Sequence, residues 1–484
     1  MQITSFDEPL LQFGTSSHLD IRFGLMNYCP LDFDQDNAPK QIRLGIVGSS
    51  KTIEGLRDWL EKCRGEIAAK ESRQRNLFPK WPGFSLESSF CSELQFDSTL
   101  ERSISSSEIN SITSLPIRDE QKIRAVDTFV TEIRPLLEKK PDVIVCAIPQ
   151  EFLDSFDPAV KTANLDDEEA EAEVADESSI DFHDLLKAKC LALPRACPIQ
   201  LVLPATYDPK MRRRGSSVRQ MRPLQDEATR AWNFHTALYY KSGGTPWKLQ
   251  QDDSKLQTCF VGVGFYRTLD RERISTSVAQ VFNERGNGVV VRGEPAIYEK
   301  EDRQVHLDSD GATQLLDRAL LEYRSEHKTM PARVVIHKTS SHNDAEVKGF
   351  MDAASKHNVE YCELLSIRKA FTRLFRNGVY PPLRGTMLSL NEATHILYTR
   401  GSVEFYATYP GMYMPRTLQI NCDQIEQTPR YLAEEILALT KMNWNDTQFD
   451  GGLPITIRAA RQVGDILKYA GPNDPVPSQY SFYM

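Results

Sequence analysis

Short apolar stretches rich in β-branched residues alternate along the chain with longer stretches of helical periodicity. This alternation is typical of α/β folds built around largely parallel sheets. It predicts strands at 42–47, 143–148, 199–203, 259–263, 288–291, 333–337 and 394–399. It predicts helices at 52–69, 119–138, 226–241, 312–326, 344–357, 429–441 and 455–469.

Three stretches interrupt this alternation. Residues 97–115 are rich in serine and are expected to form a loop. Residues 164–180 are strongly acidic and are expected to be a disordered insertion. The predicted helix that ends in Gly243-Gly244 is followed by Pro246, a combination that ends helices and predicts a domain boundary near 245. The chain then divides into two α/β parts, 1–245 and 246–484.

Composition and charge narrow the class of protein. Of 484 residues, 40% are hydrophobic and 26% are charged, which is ordinary for a globular protein. The net charge is −9, but residues 166–177 hold eight acids and no Lys or Arg, so the remainder is almost neutral and does not argue against a nucleic-acid partner. No apolar run approaches the ~20 residues of a membrane helix, and no secretory signal is expected.

The nine cysteines include no Cys-x-x-Cys pair. A zinc site and a disulfide framework are therefore not predicted, and we expect a reducing, cytoplasmic location.

The first predicted strand leads into a near match to a phosphate-binding loop. Gly45 is followed at the usual distance by Lys51-Thr52, but Ser50 stands where the second glycine is needed. A P-loop-like nucleotide-binding protein that uses Lys51 therefore stays open as an alternative.

A second candidate phosphate site is a basic segment. Residues 210–222 carry six cations and no acid. Arg side chains with Gly and Ser backbone donors suit phosphates, whereas the plainer interpretation is a solvated loop. The helix predicted at 226–241 follows and ends on Lys241, where a cation also stabilises a helix C-terminus.

Two further motifs complete the pattern: Lys-Ser-Gly-Gly-Thr-Pro-Trp at 241–247 and Leu-Thr-Lys-Met-Asn-Trp-Asn at 439–445. The order and spacing of these segments resemble the MID and PIWI halves of Argonaute proteins. The length is similar to that of the short prokaryotic branch, which lacks the PAZ domain. The resemblance implies a Rossmann-like MID domain within 1–245, after an N-terminal segment, and an RNase H-like PIWI domain in 246–484.

The resemblance also identifies the positions of the slicer chemistry, in which acids hold two metal ions. The expected acidic positions fall on Gly264, Thr339 and Arg461. None of these residues is an acid, so the resemblance implies a catalytically inactive PIWI domain and no enzyme activity of this chain.

Other acids lie near these positions. Glu294 or Glu299 could supply an intervening glutamate, while Asp270 and Asp344 lie beyond the strand ends. One acid cannot assemble a two-metal site. An active guide-dependent metal nuclease with relocated carboxylates stays open as the alternative.

The resemblance implies that the MID domain holds the 5′ phosphate of a guide strand. The residues that match this site are Tyr207 (stacking on the first base), Lys210 or one of Arg212 to Arg214, Arg219 or Gln220, and Lys241. The carboxylate of Met484 is expected to help hold a structural Mg²⁺ at this phosphate.

Further cations are expected to contact the nucleic-acid backbone. The residues so assigned are Arg212, Arg222, Arg384, Lys441 and, as a neutral donor, Asn445. Arg368, Lys369, Arg373 and Arg376 are expected to follow the duplex from one helix face.

The function implied by the resemblance is guide-RNA-directed recognition of complementary single-stranded DNA. An inactive short Argonaute needs a partner, and the family implies a co-encoded protein with an APAZ domain fused to a TIR, sirtuin-like or nuclease effector. The two proteins are expected to form a heterodimer that oligomerises on activation and defends the cell against plasmids and phages. No membrane partner is expected.

Overall fold

The structure is a computed structural model that describes residues 1–156, 180–211, 224–250, 256–269, 274–282, 288–375, 377–378, 380–411, 414–449, 451–471 and 474–484. The acidic insertion predicted at 164–180 lies outside the described residues except for Ile180. Among the described helices, none combines the length and the apolar composition that a membrane span requires.

The strands are β1 (Gln2–Ser5), β2 (Leu11–Gln12), β3 (Ser17–His18), β4 (Gln41–Gly48), β5 (Glu93–Gln95), β6 (Glu101–Ser103), β7 (Val143–Ala147), β8 (Ile199–Val202), β9 (Lys248–Leu249), β10 (Thr258–Arg267), β11 (Ile274–Phe282), β12 (Gly288–Glu299), β13 (Gln304–His306), β14 (Arg333–Lys338), β15 (Tyr361–Ala370), β16 (Thr386–Ser389), β17 (Thr394–Leu397) and β18 (Thr417–Gln424). The α-helices are α1 (Ile21–Tyr28), α2 (Ser50–Cys63), α3 (Ser106–Thr113), α4 (Arg118–Leu137), α5 (Gln150–Ser155), α6 (Phe182–Leu191), α7 (Pro204–Tyr207), α8 (Glu227–Lys241), α9 (Ser309–His327), α10 (Asp344–Lys356), α11 (Pro429–Leu439) and α12 (Ile455–Leu467). Short 3-10 helices lie at Arg75–Leu77, Ser98–Leu100, Pro209–Met211, Glu404–Tyr406 and Tyr480–Phe482.

The N-terminal part is built around a parallel sheet with the order β5-β4-β7-β8, and β6 also pairs with β4. All of these pairs are parallel. The middle strand β7 is buried at every residue, as expected for a strand with helices over both faces. This sheet confirms the Rossmann-like half and its three predicted strands.

The C-terminal part contains a ten-stranded sheet with the order β1-β16-β17-β18-β15-β14-β10-β11-β12-β13. The pairs β10–β14 and β14–β15 are parallel, while β10, β11 and β12 form an antiparallel set. Helices α9 and α10 share one core with β10 and β14, whereas α11 and α12 belong to the core on the opposite side. This arrangement confirms the RNase H-like half of the predicted fold.

The prediction of a loop at 97–115 is wrong. This stretch contains a 3-10 turn, β6 and the helix α3. Ser105 caps α3 by accepting a hydrogen bond from the Glu108 backbone N–H, and Ile109 and Ile112 are buried. Serines that act as helix caps gave the stretch its loop-like composition.

The helix expected from the spacing of Arg368, Lys369 and Arg373 is also wrong. The first two residues lie in β15, and Arg373 lies in the loop that follows it. Six consecutive residues of β15 are buried, Cys362 to Ile367, so the strand lacks the alternation that would have identified it. Arg376 lies outside the described residues.

The N-terminal segment departs from the predicted division at 245. Strand β1 pairs antiparallel with β16, with Ile3 opposite Leu388, and so extends the C-terminal sheet. Strand β2 pairs with β9, with Leu11 opposite Leu249. The boundary near 245 separates the two large sheets, but the first strand of the chain belongs to the second of them.

An aromatic core under α8 contains a buried histidine. The His235 ring packs within 4.8 Å of the Trp81 ring centroid and 4.9 Å of the Phe84 ring centroid. Its Nδ1 contacts the Ala231 carbonyl, while its Nε2 is buried without a hydrogen-bond partner. Burial lowers the pKa of His235 to about 4.

We expect His235→Phe to make the protein less sensitive to acid. Between pH 6.5 and 4 the unfolded chain binds a proton at this residue and the folded chain does not, so wild-type stability falls as the pH falls through this window. Between pH 7 and pH 4 the free energy of unfolding of the variant should fall by about 3 kcal/mol less than that of the wild type. Urea unfolding at pH 7 and pH 4 measures it, and an unchanged pH dependence would contradict the assignment.

Candidate functional site

Two expected catalytic positions stand side by side at one edge of the C-terminal sheet. In the parallel pair of β10 and β14, Gly262 lies opposite His337 and Val263 opposite Lys338. The next residues along the two strands are Gly264 and Thr339. The structure therefore brings together the positions that the sequence aligned with the first two acids.

Helix α12 lies directly against this edge. A Cβ atom on Gly262 would be 2.0 Å from the Thr456 carbonyl oxygen, and one on Gly264 would be 3.0 Å from Ala460. Arg461, the third expected position, follows Ala460 on the helix and is exposed. The three positions converge, and none of them carries a carboxylate.

Of the four acids near the expected catalytic positions, the structure describes the side chains of two, Glu299 and Asp344. Asp270 lies outside the described residues, and the side chain of Glu294 is not described. Glu299 accepts a hydrogen bond from Asn343 Nδ2 at 3.2 Å, and Asp344 is exposed in the first turn of α10.

A charged cluster follows the end of β14. Lys338 forms a fully buried ion pair with Glu346, which also contacts His306 Nδ1 at 2.9 Å. The ligand atoms of Glu299, Asp302 and His306 all lie within 4.8 Å of one another. Both ring nitrogens of His306 are already hydrogen-bonded to carboxylates, Asp302 and Glu346, so this cluster is internally satisfied.

The expected phosphate ligand Lys241 lies in a buried, positively charged seat. Its Nζ donates hydrogen bonds to the Ile199 carbonyl at 3.0 Å and to Gln200 Oε1 at 2.5 Å. Lys187 on α6, which sequence reasoning missed, donates to the main-chain oxygens of Tyr483, at 3.1 Å, and Met484. Burial and then the charge of Lys187 hold the pKa of Lys241 well below its usual value.

These contacts bear on the expected Mg²⁺ ligand. Met484 is buried, and an oxygen of this residue already accepts a hydrogen bond from the Lys187 ammonium. Lys241 lies close enough to Lys187 for the two charges to repel. Mg²⁺ prefers a near-octahedral set of oxygens, so two neighbouring ammonium groups do not fit it. The residues of this seat therefore do not fit the expected Mg²⁺.

Tyr207 and Lys241 lie at opposite ends of β8. Lys241 contacts the first two residues of the strand. Tyr207 is the last residue of α7, the helix that follows the strand, and it packs against Gly55 of α2. Four residues of strand span about 13 Å. Lys210 is exposed, and its backbone N–H donates to Asp208. Arg212, Arg219, Gln220 and Arg222 lie outside the described residues.

The structure gives Arg384 and Lys441 a role different from the expected backbone contact. Both side chains are buried and bind Glu8, Arg384 at 3.1 Å and Lys441 at 3.2 Å. Lys441 also donates to the carbonyls of Pro9 and Leu19, each at 2.6 Å. Burial lowers the pKa of Lys441 to about 8. Both cations fasten the N-terminal segment to the C-terminal part.

The two sequence motifs that carried the resemblance pack against each other. The Trp247 indole N–H donates to the Lys441 carbonyl, and the Trp444 indole N–H donates to the Trp247 carbonyl. Trp444 also stacks on Tyr240 at 4.8 Å. Asn445 is half-buried in this region, and its backbone N–H donates to Asn443. These motifs join the two halves of the chain.

The near-match phosphate loop is arranged differently from a nucleotide site. The Thr52 hydroxyl donates to the Ala147 and Ser49 carbonyls at 3.1 Å, and Ser49 caps α2. Lys51 is exposed. Because the Thr52 hydroxyl is directed into the sheet, nothing here favours the nucleotide-binding alternative.

The fold and these sites define an α/β protein with a Rossmann-like half, an RNase H-like half and a buried cationic seat at their junction. Over 265 residues the chain is 22% identical to the protein argonaute of Cereibacter sphaeroides, a match that covers 49% of this chain and 33% of that protein. No protein-family model matches the chain.

Solved structures give the same result for the fold. Clostridium butyricum Argonaute bound to a guide DNA and a 19-mer target DNA matches all of this chain with a TM-score of 0.67 at 14% identity. Drosophila Piwi matches 99% of it, with a TM-score of 0.59 at 13% identity. Marinitoga piezophila Argonaute in complex with 5′ OH guide RNA matches with a TM-score of 0.55 at 13% identity.

The sequence match and the solved structures are all Argonaute or Piwi proteins, and the fold is the one predicted for the MID and PIWI halves. The chain spans 55–59% of the length of these three structures.

Proposed function

We propose that this chain binds a short guide RNA by its 5′ phosphate and uses the guide to recognise complementary single-stranded DNA. The observation that carries the proposal is the seat formed by Lys187 and Lys241. Both ammonium groups are buried, and the hydrogen-bond acceptors described for Lys241 are uncharged.

The energetics of this seat favour an anion. A buried charge is costly unless an opposite charge accompanies it. Lys187 donates to an oxygen of Met484, the last residue, and Asp184 and Asp181 act on it through space, whereas both described acceptors of Lys241 are uncharged. A terminal phosphate would supply the missing negative charge to Lys241. In this proposal base pairing reads the target sequence, while the protein holds the backbone.

We further propose that the chain does not cut its target. Two-metal hydrolysis needs carboxylates where Gly264, Thr339 and Arg461 stand. The close packing of Gly264 against Ala460 supports this proposal because it leaves no room for a larger side chain.

A protein that recognises a target without cutting it needs a partner to act. We propose an APAZ-containing partner with a TIR, sirtuin-like or nuclease effector, which target binding activates in cytoplasmic defence against plasmids and phages. Support for this step comes from the Argonaute homology and from the three non-acidic positions.

The test compares guides with a 5′ phosphate and a 5′ hydroxyl. We expect the wild-type chain to prefer the phosphorylated RNA by about tenfold or more, because hydrogen bonds to a charged group contribute ~1.5–3 kcal/mol. Lys241→Met should abolish this preference. Equilibrium binding of labelled RNA measures it.

Lys189→Met is the matched control, because Lys189 is an exposed lysine of α6 that pairs with Asp127. It should bind both guides as the wild type does. A wild-type chain that binds both guides equally would overturn the proposal, and guided cleavage of DNA with Mg²⁺ or Mn²⁺ would overturn the inactive catalytic site.

A further inference from the structure

Two phenylalanine rings stand almost entirely in solvent just beyond β15. Phe371 is 89% exposed and Phe375 is 90% exposed. Single exposed apolar residues are common, but two large aromatic rings within five residues of one loop form an apolar feature of the kind that marks a binding surface.

The main chain that carries these rings is held in place. The Thr417 hydroxyl donates to the Thr372 carbonyl at 2.9 Å, and the Leu374 backbone N–H donates to the Tyr398 hydroxyl at 2.6 Å. The Leu374 side chain packs on a small core of Ala370, Leu388 and Ile396. The rings therefore project from a fixed support, so little conformational entropy is lost when a ligand binds them.

The loop follows the end of β15, which extends past the carboxyl end of its parallel neighbour β14. Strand β15 runs parallel to β14, with Ser366 opposite Lys338, so both strands end at the same edge. From that point β15 continues for four residues to Ala370, about 13 Å past the end of β14. The two rings thus follow the end of β15, at the same side of the sheet as the carboxyl end of β14.

The charge around the loop selects the class of ligand. Residues 371–380, which carry the two rings, contain Arg373 and Arg376 and no Asp or Glu. Arg373 is exposed between the two rings, and its Nη1 donates to the Ala370 carbonyl at 2.9 Å. Aromatic rings interleaved with cations are what proteins use to bind single-stranded nucleic acid, where bases stack and phosphates meet positive charge.

We infer that Phe371 and Phe375 form a stacking platform for unpaired bases of a single-stranded nucleic acid, with Arg373 beside its backbone. This platform is separate from the seat of Lys187 and Lys241 and does not require a guide 5′ phosphate. It gives the chain a second contact with nucleic acid, at the sheet edge.

The test uses the full chain and a labelled single-stranded DNA that carries a 5′ hydroxyl. The double variant Phe371→Ala/Phe375→Ala should bind it about tenfold or more weakly, because stacking contributes ~1–3 kcal/mol per base. Binding of a blunt duplex of the same length should stay unchanged, since its bases are already stacked. Arg373→Ala should lower the slope of log affinity against log salt by about one.

Ile117→Ala is the matched control, because Ile117 is an exposed apolar residue of the N-terminal part, and it should bind as the wild type does. A change below about twofold in the double variant would overturn the platform and assign the two rings to a protein partner. Phe371→Trp, which enlarges the stacking surface, should strengthen binding, and weaker binding would contradict the inference.

The 5′-phosphate preference separates this inference from the proposed function. If the double variant keeps that preference but binds single-stranded DNA more weakly, both the proposed guide binding and the stacking platform hold. If the wild type shows no phosphate preference but the variant loses affinity, guide binding fails and the platform stands.

Discussion

Gly264→Asp is expected to destabilise the protein by about 3 kcal/mol or more and to leave it unable to cut a guided target. The substitution restores the acid that catalysis would need, but the Cβ atom would lie 3.0 Å from the Ala460 carbonyl carbon, carbonyl oxygen and Cβ. Helix α12 would have to move away from β10. The carboxylate would also enter a buried position, and burying a carboxylate costs free energy.

Urea unfolding of the full chain measures the change, and Gly65→Asp is the matched control. Gly65 is exposed, and a Cβ atom added to it would lie 3.8 Å from its nearest neighbour, the Lys62 carbonyl oxygen, so this variant should lie within about 0.5 kcal/mol of the wild type. If Gly264→Asp proves as stable as the wild type and cuts DNA in Mn²⁺, the packing argument and the inactive site both fail.

Glu8→Gln is expected to destabilise the protein by about 3–5 kcal/mol at pH 7. Glu8 is the carboxylate that both Arg384 and Lys441 contact, and both cations are buried. Removing its charge leaves two buried positive charges without this partner. The exposed pair of Glu66 and Lys80 offers the control, since Glu66→Gln should cost less than about 1 kcal/mol.

The loss in Glu8→Gln should depend on pH in a defined direction. Burial alone would raise the pKa of Glu8, but Arg384 and Lys441 outweigh it and hold the pKa below its usual value of 4.5. The contribution of the ionised Glu8 to the free energy of unfolding is therefore complete above pH 4.5 and is lost as the pH falls below that value. The difference between wild type and variant should shrink in acid, and a difference that grows there would rule out the ion-pair explanation.

The fold was predictable because its signal is local. Runs of β-branched residues such as 143–148 and 333–337 identify buried parallel strands, and both appear within one residue of the predicted bounds. That Gly264 and Thr339 lie together was also predictable, because each follows the end of such a run. Strand register then brings them together without further information.

The seat of Lys187 and Lys241 was only half predictable because its contacts join distant parts of the chain. Lys241 stands in a recognisable motif, but Lys187 matters through the main-chain oxygens of Tyr483 and Met484, almost 300 positions away. Nothing near Lys187 in the sequence distinguishes it from Lys189 on the same helix, which is exposed. Burial in the folded chain makes the distinction.

Lys187 was missed in the sequence, whereas Lys441 was assigned a nucleic-acid contact and is buried at the joint between the two halves. Its motif was distinctive enough to suggest contact with a guide, and the distinctiveness comes instead from the joint between the two halves. At this joint the Trp247 indole N–H donates to the Lys441 carbonyl, and the Trp444 indole N–H donates to the Trp247 carbonyl. The Lys441 ammonium donates to the Pro9 carbonyl of the N-terminal segment. A motif can be specific because it holds a fold together, without contacting a ligand.

The pairing of β1 with β16 sets an order of events during synthesis. Strand β1 leaves the ribosome long before its partner strand β16, which emerges hundreds of residues later, after the whole Rossmann-like half. Contacts of such long sequence separation form late, since closing the loop between them costs entropy before the pairing is gained. Until then the open edge of β16 can pair with other chains. A truncated chain that lacks β1 is therefore most exposed to aggregation at the β16 edge of its largest sheet.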